Sequence, residues 1–356
     1  MQGEDIADLV KAAQNDLGAG TIEDLASSLT DYIAYGQLMK DGGKRVSYKG
    51  GTEFEWNVLV NKGNNAKWVG LYEADTSNVV QGFQRAKLPF KHFRSSWSYD
   101  ELEMDMNGTG NTKILDMVQE RQNMQIIDDV ETLESAFWGT PDASNDKIPY
   151  FLKYFIVQHI TGTSDTAGGG FNGTVPSGFT TVANMNPTTY PAWANWSFKY
   201  ANVSKADFIK KVKKAYYKTG FKSPVKTRSA GKKSDDFETF TTYPVVDECE
   251  DLLQAQNENL GSDLAKYQGE VHIRRIPLVP VPQLDANDSA GTNAPIYGVN
   301  WSVFQLVLLK GNYFKQTPPL RGGRDQPSVW TIYRTLTIQG RCLNRRRLFV
   351  GSKTAV

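Results

Sequence analysis

The sequence predicts an α+β protein, and three observations lead to that fold class. Residues 46–99 alternate apolar and polar side chains in the period-two pattern of β-strands. Residues from about Asn111 to Phe137 place apolar side chains along one helical face. Residues 329–343 then return to period two. We therefore expect extended strands on both sides of one long helix.

Composition is that of an ordinary globular protein and limits the function. Forty basic and thirty-nine acidic residues leave a formal charge of +1, whereas a dedicated nucleic-acid binder normally carries a basic excess. Cys249 and Cys342 lie far apart, so the sequence predicts neither a disulfide framework nor a cysteine-rich zinc site. The N-terminus lacks the pattern of a signal peptide, and no apolar stretch approaches the roughly 20 residues that span a bilayer. We expect a soluble, intracellularly made protein without a membrane partner.

The N-terminal segment, residues 1–45, predicts two short amphipathic helices. Ile6 and Leu9 lie on one helical face that ends at Gly18. Thr21 and Asp24 have the spacing of a capping box for the second helix. Nothing in this segment looks able to fold alone, so we expect an arm that lies on another surface.

Residues 46–106 predict an extended β-hairpin. Trp56 belongs to the first alternating strand, a turn follows at Asn61–Asn65, and a second strand is expected through Trp68 and Tyr72. A hairpin with aromatic side chains and few core elements nearby needs cover from a neighbouring molecule.

A further strand of this segment starts near Phe90. Its apolar phase moves by one residue at Phe93, which indicates a β-bulge or a change of exposed face. Glu101, Glu103 and Asp105 alternate at its end, so we expect them on the solvated face of a strand.

The long helix is predicted from about Asn111 to Phe137, within residues 107–150, and would extend about 40 Å. Residues 151–325 predict a mixed α/β domain with long loops. Within it we expect a Gly-rich surface loop, a helix capped by Ser204 and Asp207, and a helix from about Val245 to Leu260. Residues 271–284 predict an extended segment at the edge of a sheet, because their prolines cannot donate ladder hydrogen bonds. Residues 326–356 carry the last long strand.

This order of elements resembles the major capsid proteins of tailed bacteriophages, the Hong Kong 97-like fold. Several stretches look like recurring phrases of one phage coat-protein subfamily: AFWGTP (136–141), NPTTYPAWANW (186–196), AQNENLG (255–261), PIYGVNW (295–301) and CLNRRRLFVG (342–351). The resemblance implies an N-arm at 1–45, an E-loop at 46–106, a spine helix with part of the peripheral domain at 107–150, an axial domain at 151–325, and a strand returning to the peripheral domain at 326–356.

The resemblance also implies a function. The chain would be a major capsid protein, a non-enzymatic virion component assembled in the host bacterial cytoplasm, which forms hexamers and pentamers of an icosahedral head around double-stranded DNA. Its partners would be further copies of itself, a separate scaffolding protein, a portal, a possible decoration protein, and packaged DNA held non-specifically. The type member carries a long, cleaved scaffolding segment, whereas here only about forty-five residues precede the first strand, so no fused scaffold is expected.

Two alternatives stay open at this point: an encapsulin-like cellular compartment that houses an enzyme cargo, and a soluble α/β enzyme or carbohydrate binder. Against catalysis, His92, His159 and His272 are scattered and show no metal-ligand or nucleophile spacing. We therefore predict no catalytic residue, no metal and no cofactor.

The candidate contacts between subunits come from two regions. The hairpin supplies aromatic anchors and a lysine at its tip: Trp56, Lys62, Trp68, Phe90 and Trp97. The C-terminal region supplies Arg345, Arg346 and Arg347, since arginine pairs readily with carboxylates across an interface.

Two further features have an ordinary and a functional interpretation. The stretch from Lys205 to Lys233 contains eleven Lys and Arg residues; we favour the solvated face of a helix followed by a loop, and a subunit contact is the alternative. Some relatives join a hairpin lysine to a neighbour's asparagine. Lys62 and Asn344 lie in loosely comparable regions, but no catalytic acid matches, so we predict no covalent crosslink.

Overall fold

The structure is a computed structural model, which describes residues 31–39, 45–62, 65–73, 79, 81–106, 111–159, 169–220, 237–257, 271–288, 291–322 and 327–353. The helices predicted within residues 1–30 lie outside this described part. The α-helices are α1 (Ile33–Met39), α2 (Glu101–Met106), α3 (Asn111–Trp138), α4 (Leu152–Phe155), α5 (Lys210–Thr219), α6 (Tyr243–Asn257) and α7 (Pro282–Asn287). Single turns of 3₁₀ or π-helix occur at Pro191–Trp193, Lys205–Ile209 and Arg345–Arg347.

Fifteen strands are present in the described part of the chain. They are β1 (Arg45–Tyr48), β2 (Glu53–Leu59), β3 (Phe83–Pro89), β4 (Lys91–Asp100), β5 (Gly170–Gly173), β6 (Asn195–Lys199), β7 (Phe237–Thr241), β8 (Val271–Ile273), β9 (Ile276–Pro280), β10 (Ile296–Asn300), β11 (Phe304–Leu309), β12 (Lys315–Gln316), β13 (Leu320–Arg321), β14 (Val329–Cys342) and β15 (Phe349–Ser352). Together with the helices they give the predicted mixture of α and β structure.

The hairpin consists of β2 and β3, which pair antiparallel from Glu53–Pro89 to Leu59–Phe83. The second strand predicted through Trp68 and Tyr72 is wrong, because residues 65–73 form no ladder with any described strand. Alternating side chains alone do not make a strand without a hydrogen-bonding neighbour.

Strand β4 leaves the hairpin and joins a second sheet. It pairs antiparallel with β14 along its whole length, from Lys91 opposite Ile338 to Asp100 opposite Val329. The one-residue shift in the apolar pattern near Phe93 therefore marks the point where the chain leaves the hairpin and pairs with a strand of another sheet. The predicted extension of the hairpin through residue 106 is too long, since the hairpin ladder ends at Pro89.

Residues Glu101–Met106 form helix α2, so the strand predicted for these carboxylates is wrong. The side chain of Asp100 accepts a hydrogen bond from the backbone N–H of Leu102 at 2.9 Å, which satisfies a donor of the first helical turn. Glu101 accepts one from the indole N–H of Trp330 at 2.5 Å. Tertiary contacts with β14 thus help decide the helical conformation.

Strand β14 is the centre of a six-stranded sheet and confirms the predicted last long strand. The sheet has the order β1-β11-β14-β12, and β4 and β13 also pair with β14. Buried and partly exposed side chains alternate at the start of β14, where one face is solvated, whereas residues 336–340 are all buried.

The long helix α3 is confirmed, and it makes one buried salt bridge and one buried set of hydrogen bonds. The carboxylate of Asp129 lies 3.2 Å from the guanidinium of Arg334 on β14. The carboxylate of Glu134 accepts hydrogen bonds from the backbone N–H groups of Ala34 (2.9 Å) and Tyr35 (3.3 Å) and from the indole N–H of Trp138 (2.7 Å). These contacts attach α3 to the six-stranded sheet and α1 to α3.

The third sheet has seven strands in the order β5-β6-β15-β10-β7-β9-β8. Helices α5 and α6 pack on one face of it, in a hydrophobic core that includes Phe208, Val212, Tyr216, Val245 and Phe349. A larger core joins the hairpin base, the C-terminal end of α3 and the six-stranded sheet. None of the helices in the described ranges is long and apolar enough to cross a lipid bilayer.

Several predictions for this region need correction. Part of the Gly-rich surface loop is strand β5, which pairs with β6. The 271–284 segment is the hairpin β8–β9 followed by α7, and its proline-bearing strand β9 lies between β7 and β8 rather than at the edge. The turn at Arg274–Arg275 reverses the chain between β8 and β9, and β8 forms the edge of the sheet. Ser204 does cap its helix, accepting from the N–H of Asp207 at 3.2 Å.

Candidate interaction surfaces

The hairpin exposes one face and buries the other. Phe54, Trp56 and Val58 are buried, while the opposite face carries salt bridges from Arg85 to Glu55 (3.1 Å) and from Lys87 to Glu53 (3.4 Å). The apolar face packs into the large core of the same subunit. The apolar face of the β2–β3 ladder is therefore covered by other parts of the same chain.

The segment that connects β2 to β3 presents apolar side chains to solvent. Trp68 and Tyr72 are fully exposed, and Leu71 is 91 % exposed. Val69, Val79 and the strand-end residues Leu59 and Phe83 are also exposed. We give the name hairpin tip to these seven exposed side chains: Leu59, Trp68, Val69, Leu71, Tyr72, Val79 and Phe83. Several large apolar side chains exposed along one segment are typical of an interaction site.

The predicted contact residues divide into an exposed and a buried group. Lys62 and Trp68 are exposed, so contact with a neighbouring subunit stays a prediction for both. Trp56, Phe90 and Trp97 are less than 9 % exposed within the subunit. Their selection as hairpin anchors is corrected, because their rings already pack inside their own chain and leave almost no surface for another.

The three arginines near the C-terminus also separate. Arg345 is completely buried, and Arg347 is nearly so. Arg346 is half-buried, and its guanidinium lies 4.2 Å from the centre of the Phe171 ring. The predicted role of Arg345 in pairing with a neighbour is therefore wrong, and this arginine stabilises the subunit interior.

Arg345 uses its guanidinium to join separate segments of the chain. It donates to the backbone oxygens of Phe155 (2.7 Å), Trp193 (2.9 Å) and Thr174 (2.9 Å), and to the side-chain oxygen of Asn195 (3.1 Å). Burial lowers the pKa of this guanidinium to about 10. Its acceptors come from three other parts of the sequence, so no local pattern could have identified this role.

Most of the hairpin tip, including Val69, Leu71 and Val79, is absent from the contact residues that the sequence predicts. The available signal was a run of apolar residues between turn-forming residues, without a second alternating run to pair with. Asn344, considered for a crosslink, accepts a hydrogen bond from the backbone N–H of Arg346 at 3.1 Å and caps a short turn.

No protein-family profile and no curated protein sequence matches this chain. Solved structures do match it over nearly its whole length. The capsid subunit of cyanophage A-1(L) superposes with a TM-score of 0.63 and 15% identity, covering 96% of this chain and 98% of that one. A capsid subunit of a native GTA particle gives a TM-score of 0.55 and 11% identity, covering 96% of each chain.

An encapsulin also has the same fold. The SrpI encapsulin of Synechococcus elongatus gives a TM-score of 0.52 at 9% identity, covering 97% of this chain and 95% of that one. Two of these three structures are described as capsids and the third as an encapsulin complex. The predicted Hong Kong 97-like α+β fold class is therefore confirmed.

Proposed function

We propose that this chain is the major capsid protein of a tailed bacteriophage, a structural and non-enzymatic subunit of the virion. The observation that carries the proposal is the whole-chain likeness to phage capsid subunits, with 96% of this chain covered at a TM-score of 0.63. Copies of the chain assemble into hexamers and pentamers, and these close into an icosahedral shell around double-stranded DNA. A separate scaffolding protein, a portal and a possible decoration protein complete the set of partners.

The hairpin tip is the proposed principal contact between subunits. Each of the aromatic side chains Trp68 and Tyr72 would remove roughly 150–250 Å² from water on docking. At about 25 cal/mol per Å², this is about 4–6 kcal/mol for each ring before the cost of ordering is subtracted. A contact between the tip and a different surface of the next copy is heterologous, and such contacts generate rings when the rotation closes.

The first experiment compares assembly of two variants. Replacing Trp68, Leu71 and Tyr72 together by serine removes the apolar tip without touching either hydrophobic core. Leu102→Ser is the matched control, because Leu102 is also exposed but lies on α2. Negative-stain microscopy and gel filtration should show uniform shells for the unaltered chain and the control, and unassembled subunits for the tip variant.

Thermal unfolding separates an assembly defect from misfolding. The melting temperature of unassembled subunits should be unchanged in the tip variant, because the replaced side chains make no core contact. A chain that stays monomeric at every concentration, with or without the substitutions, would contradict the proposal and favour a soluble enzyme or carbohydrate binder.

An encapsulin-type compartment is the second candidate, and the similarity to the SrpI encapsulin favours it specifically. The two candidates differ in their contents. Shells isolated from the natural source should hold nuclease-protected double-stranded DNA if the chain is a phage capsid protein, and a protein cargo if it forms a cellular compartment. Denaturing gels of these shells should show single chains, because we predict no covalent crosslink.

A further inference from the structure

A groove on the seven-stranded sheet has a composition that the shell function does not explain. It has a volume of about 480 Å³ and lies between the start of the α5 helix, α6 and the edge strand β8. Its floor is formed by apolar or weakly polar side chains, namely Ile209, Cys249, Leu252, Val271 and Ile273. Residues 258–270, which connect α6 to β8, lie outside the described residues. We call this cavity the basic groove.

The rim of the basic groove is cationic. Lys205, Lys210 and Lys213 line it from one side and Arg274 from the other, together with His272, and none of the residues lining it is acidic. Within the described part of the chain, these three lysines form no salt bridge. Lys211 on the same helix differs, because it pairs with Asp207 at 2.5 Å.

The turn that presents Arg274 is unusual for its sequence. Arg274 and Arg275 have φ angles of 62° and 65°, so both central residues of the β8–β9 hairpin are left-handed. Asn-Gly is the favoured pair in such a turn, because side chains beyond Asn and Gly are disfavoured there. Backbone strain of this kind tends to occur at functional sites. The guanidinium of Arg274 is held 3.7 Å from the centre of the Tyr217 ring, at the rim of the groove.

We propose that the basic groove binds an acidic segment of a partner polypeptide, in which carboxylates flank an apolar side chain. The carboxylates would pair with the unpaired lysines and Arg274 at the rim. The apolar side chain would cover the floor between Ile209 and Leu252. This inference does not depend on shell assembly, because the groove lies entirely within one subunit.

The shape and floor of the groove favour a peptide over nucleic acid. Double-stranded DNA is a stiff rod whose phosphates would reach only the rim of a cavity of this size. Phosphate contacts also gain nothing from an apolar floor, and DNA binding through charge alone usually uses a wider basic surface. A peptide side chain can enter the cavity, whose volume is in the range of small-ligand pockets.

The test measures binding of a defined probe to the unassembled full chain. The probe is a fluorescein-labelled peptide with two leucines between glutamate and aspartate residues. One comparison peptide carries glutamine and asparagine at the acidic positions, and a second carries serine in place of leucine. A DNA duplex of equal charge is the third comparison. We expect the acidic leucine peptide to bind at least about tenfold more tightly than each of these.

Variants of matched charge locate the site. Lys210→Glu should weaken peptide binding about tenfold, whereas Lys218→Glu, on the same helix but outside the groove, should change it less than twofold. Bound peptide should protect Lys205, Lys210 and Lys213 from acetylation, measured by mass spectrometry, and leave Lys218 reactive.

The strained turn gives an independent variant. Arg274→Asn combined with Arg275→Gly should keep or raise the melting temperature, because the new pair suits a left-handed turn, and should weaken peptide binding several-fold. Equal effects of Lys210→Glu and Lys218→Glu, equal binding of the DNA duplex, or protection of the three lysines before peptide is added would each overturn the proposal. The last result would mean that the chain covers its own groove.

Discussion

Replacing Arg345 by methionine should destabilise the subunit strongly, although its hydrogen-bond acceptors among the described residues are carbonyl and amide oxygens rather than carboxylates. Methionine fills a similar volume but donates no hydrogen bond. The substitution leaves the backbone oxygens of Phe155, Trp193 and Thr174 and the side-chain oxygen of Asn195 without this donor. Hydrogen bonds to a charged group contribute about 1.5–3 kcal/mol each, so the four short bonds together are worth roughly 6 kcal/mol or more.

A cost of burying the charge partly offsets this stabilisation. The pKa of Arg345 is lowered to about 10, chiefly by burial. Relative to its ordinary value this corresponds to about 3 kcal/mol of less favourable charge solvation, which the variant no longer bears. The expected net loss in the free energy of unfolding is therefore about 3 kcal/mol.

The assay is equilibrium urea unfolding of unassembled subunits, followed by tryptophan fluorescence. Arg346→Met is the control, because its half-buried guanidinium stacks on Phe171 and should contribute less than about 1 kcal/mol. If Arg345→Met and Arg346→Met differ by less than about 0.5 kcal/mol, the assignment of Arg345 as an interior crosslink between segments is refuted.

Three further substitutions or probes test other parts of the structure. Burial is the largest influence on the pKa of Glu134 and raises it above the ordinary value. The protonated side chain therefore stabilises the folded state below pH 4.5, and this stabilisation is lost as the pH rises through the raised pKa. Glu134→Gln should therefore flatten the stability profile between pH 4 and 7 in urea titrations. Gly340→Ala should lower the free energy of unfolding by more than about 2 kcal/mol, because the new Cβ would lie 2.5 Å from a backbone oxygen. In Gly36→Ala, in α1, the new Cβ meets nothing within 4 Å and should stabilise the helix by about 0.5–1 kcal/mol. Thermal melts that rank the two variants alike would contradict this. Cys249 and Cys342 are buried and their pKa values are raised to about 12, so maleimide should label them only after unfolding.

Local patterns predicted the elements whose hydrophobic period is long and uninterrupted. The stripe from Asn111 to Phe137 corresponds to α3, and the alternation from residue 329 onward corresponds to β14. Over such lengths, a period of 3.6 or of two is consistent with only one regular structure. The phase shift at Phe93 was also visible, but its cause was not.

Pairing partners could not be read in the same way. The alternation of residues 91–100 is compatible with the hairpin and with any other sheet, and only the tertiary structure pairs it with β14. The carboxylates of Glu101 and Glu103 suggested a strand because they alternate with other residues. Charges spaced by two also fit a single helical turn, which is what the structure shows. Short segments carry too few periods to distinguish these cases.

The candidate contact residues show the same division. Aromatic and arginine side chains were selected by residue type, which indicates a capacity for burial but not its location. Trp56 and Trp68 look alike in sequence, yet the first packs in the core and the second is fully exposed. Arg345 and Arg346 are neighbours, and only the first reaches the buried carbonyl groups.

The sequence by itself determined the long elements α3 and β14 and, through the order of its elements and its phrases, the fold class, because period and composition are local properties. The tertiary structure decided which surfaces remain exposed, namely the hairpin tip and the basic groove. It also decided that Arg345 lies in the interior. Burial depends on what distant segments bring to a side chain, and a segment's own residues do not encode that.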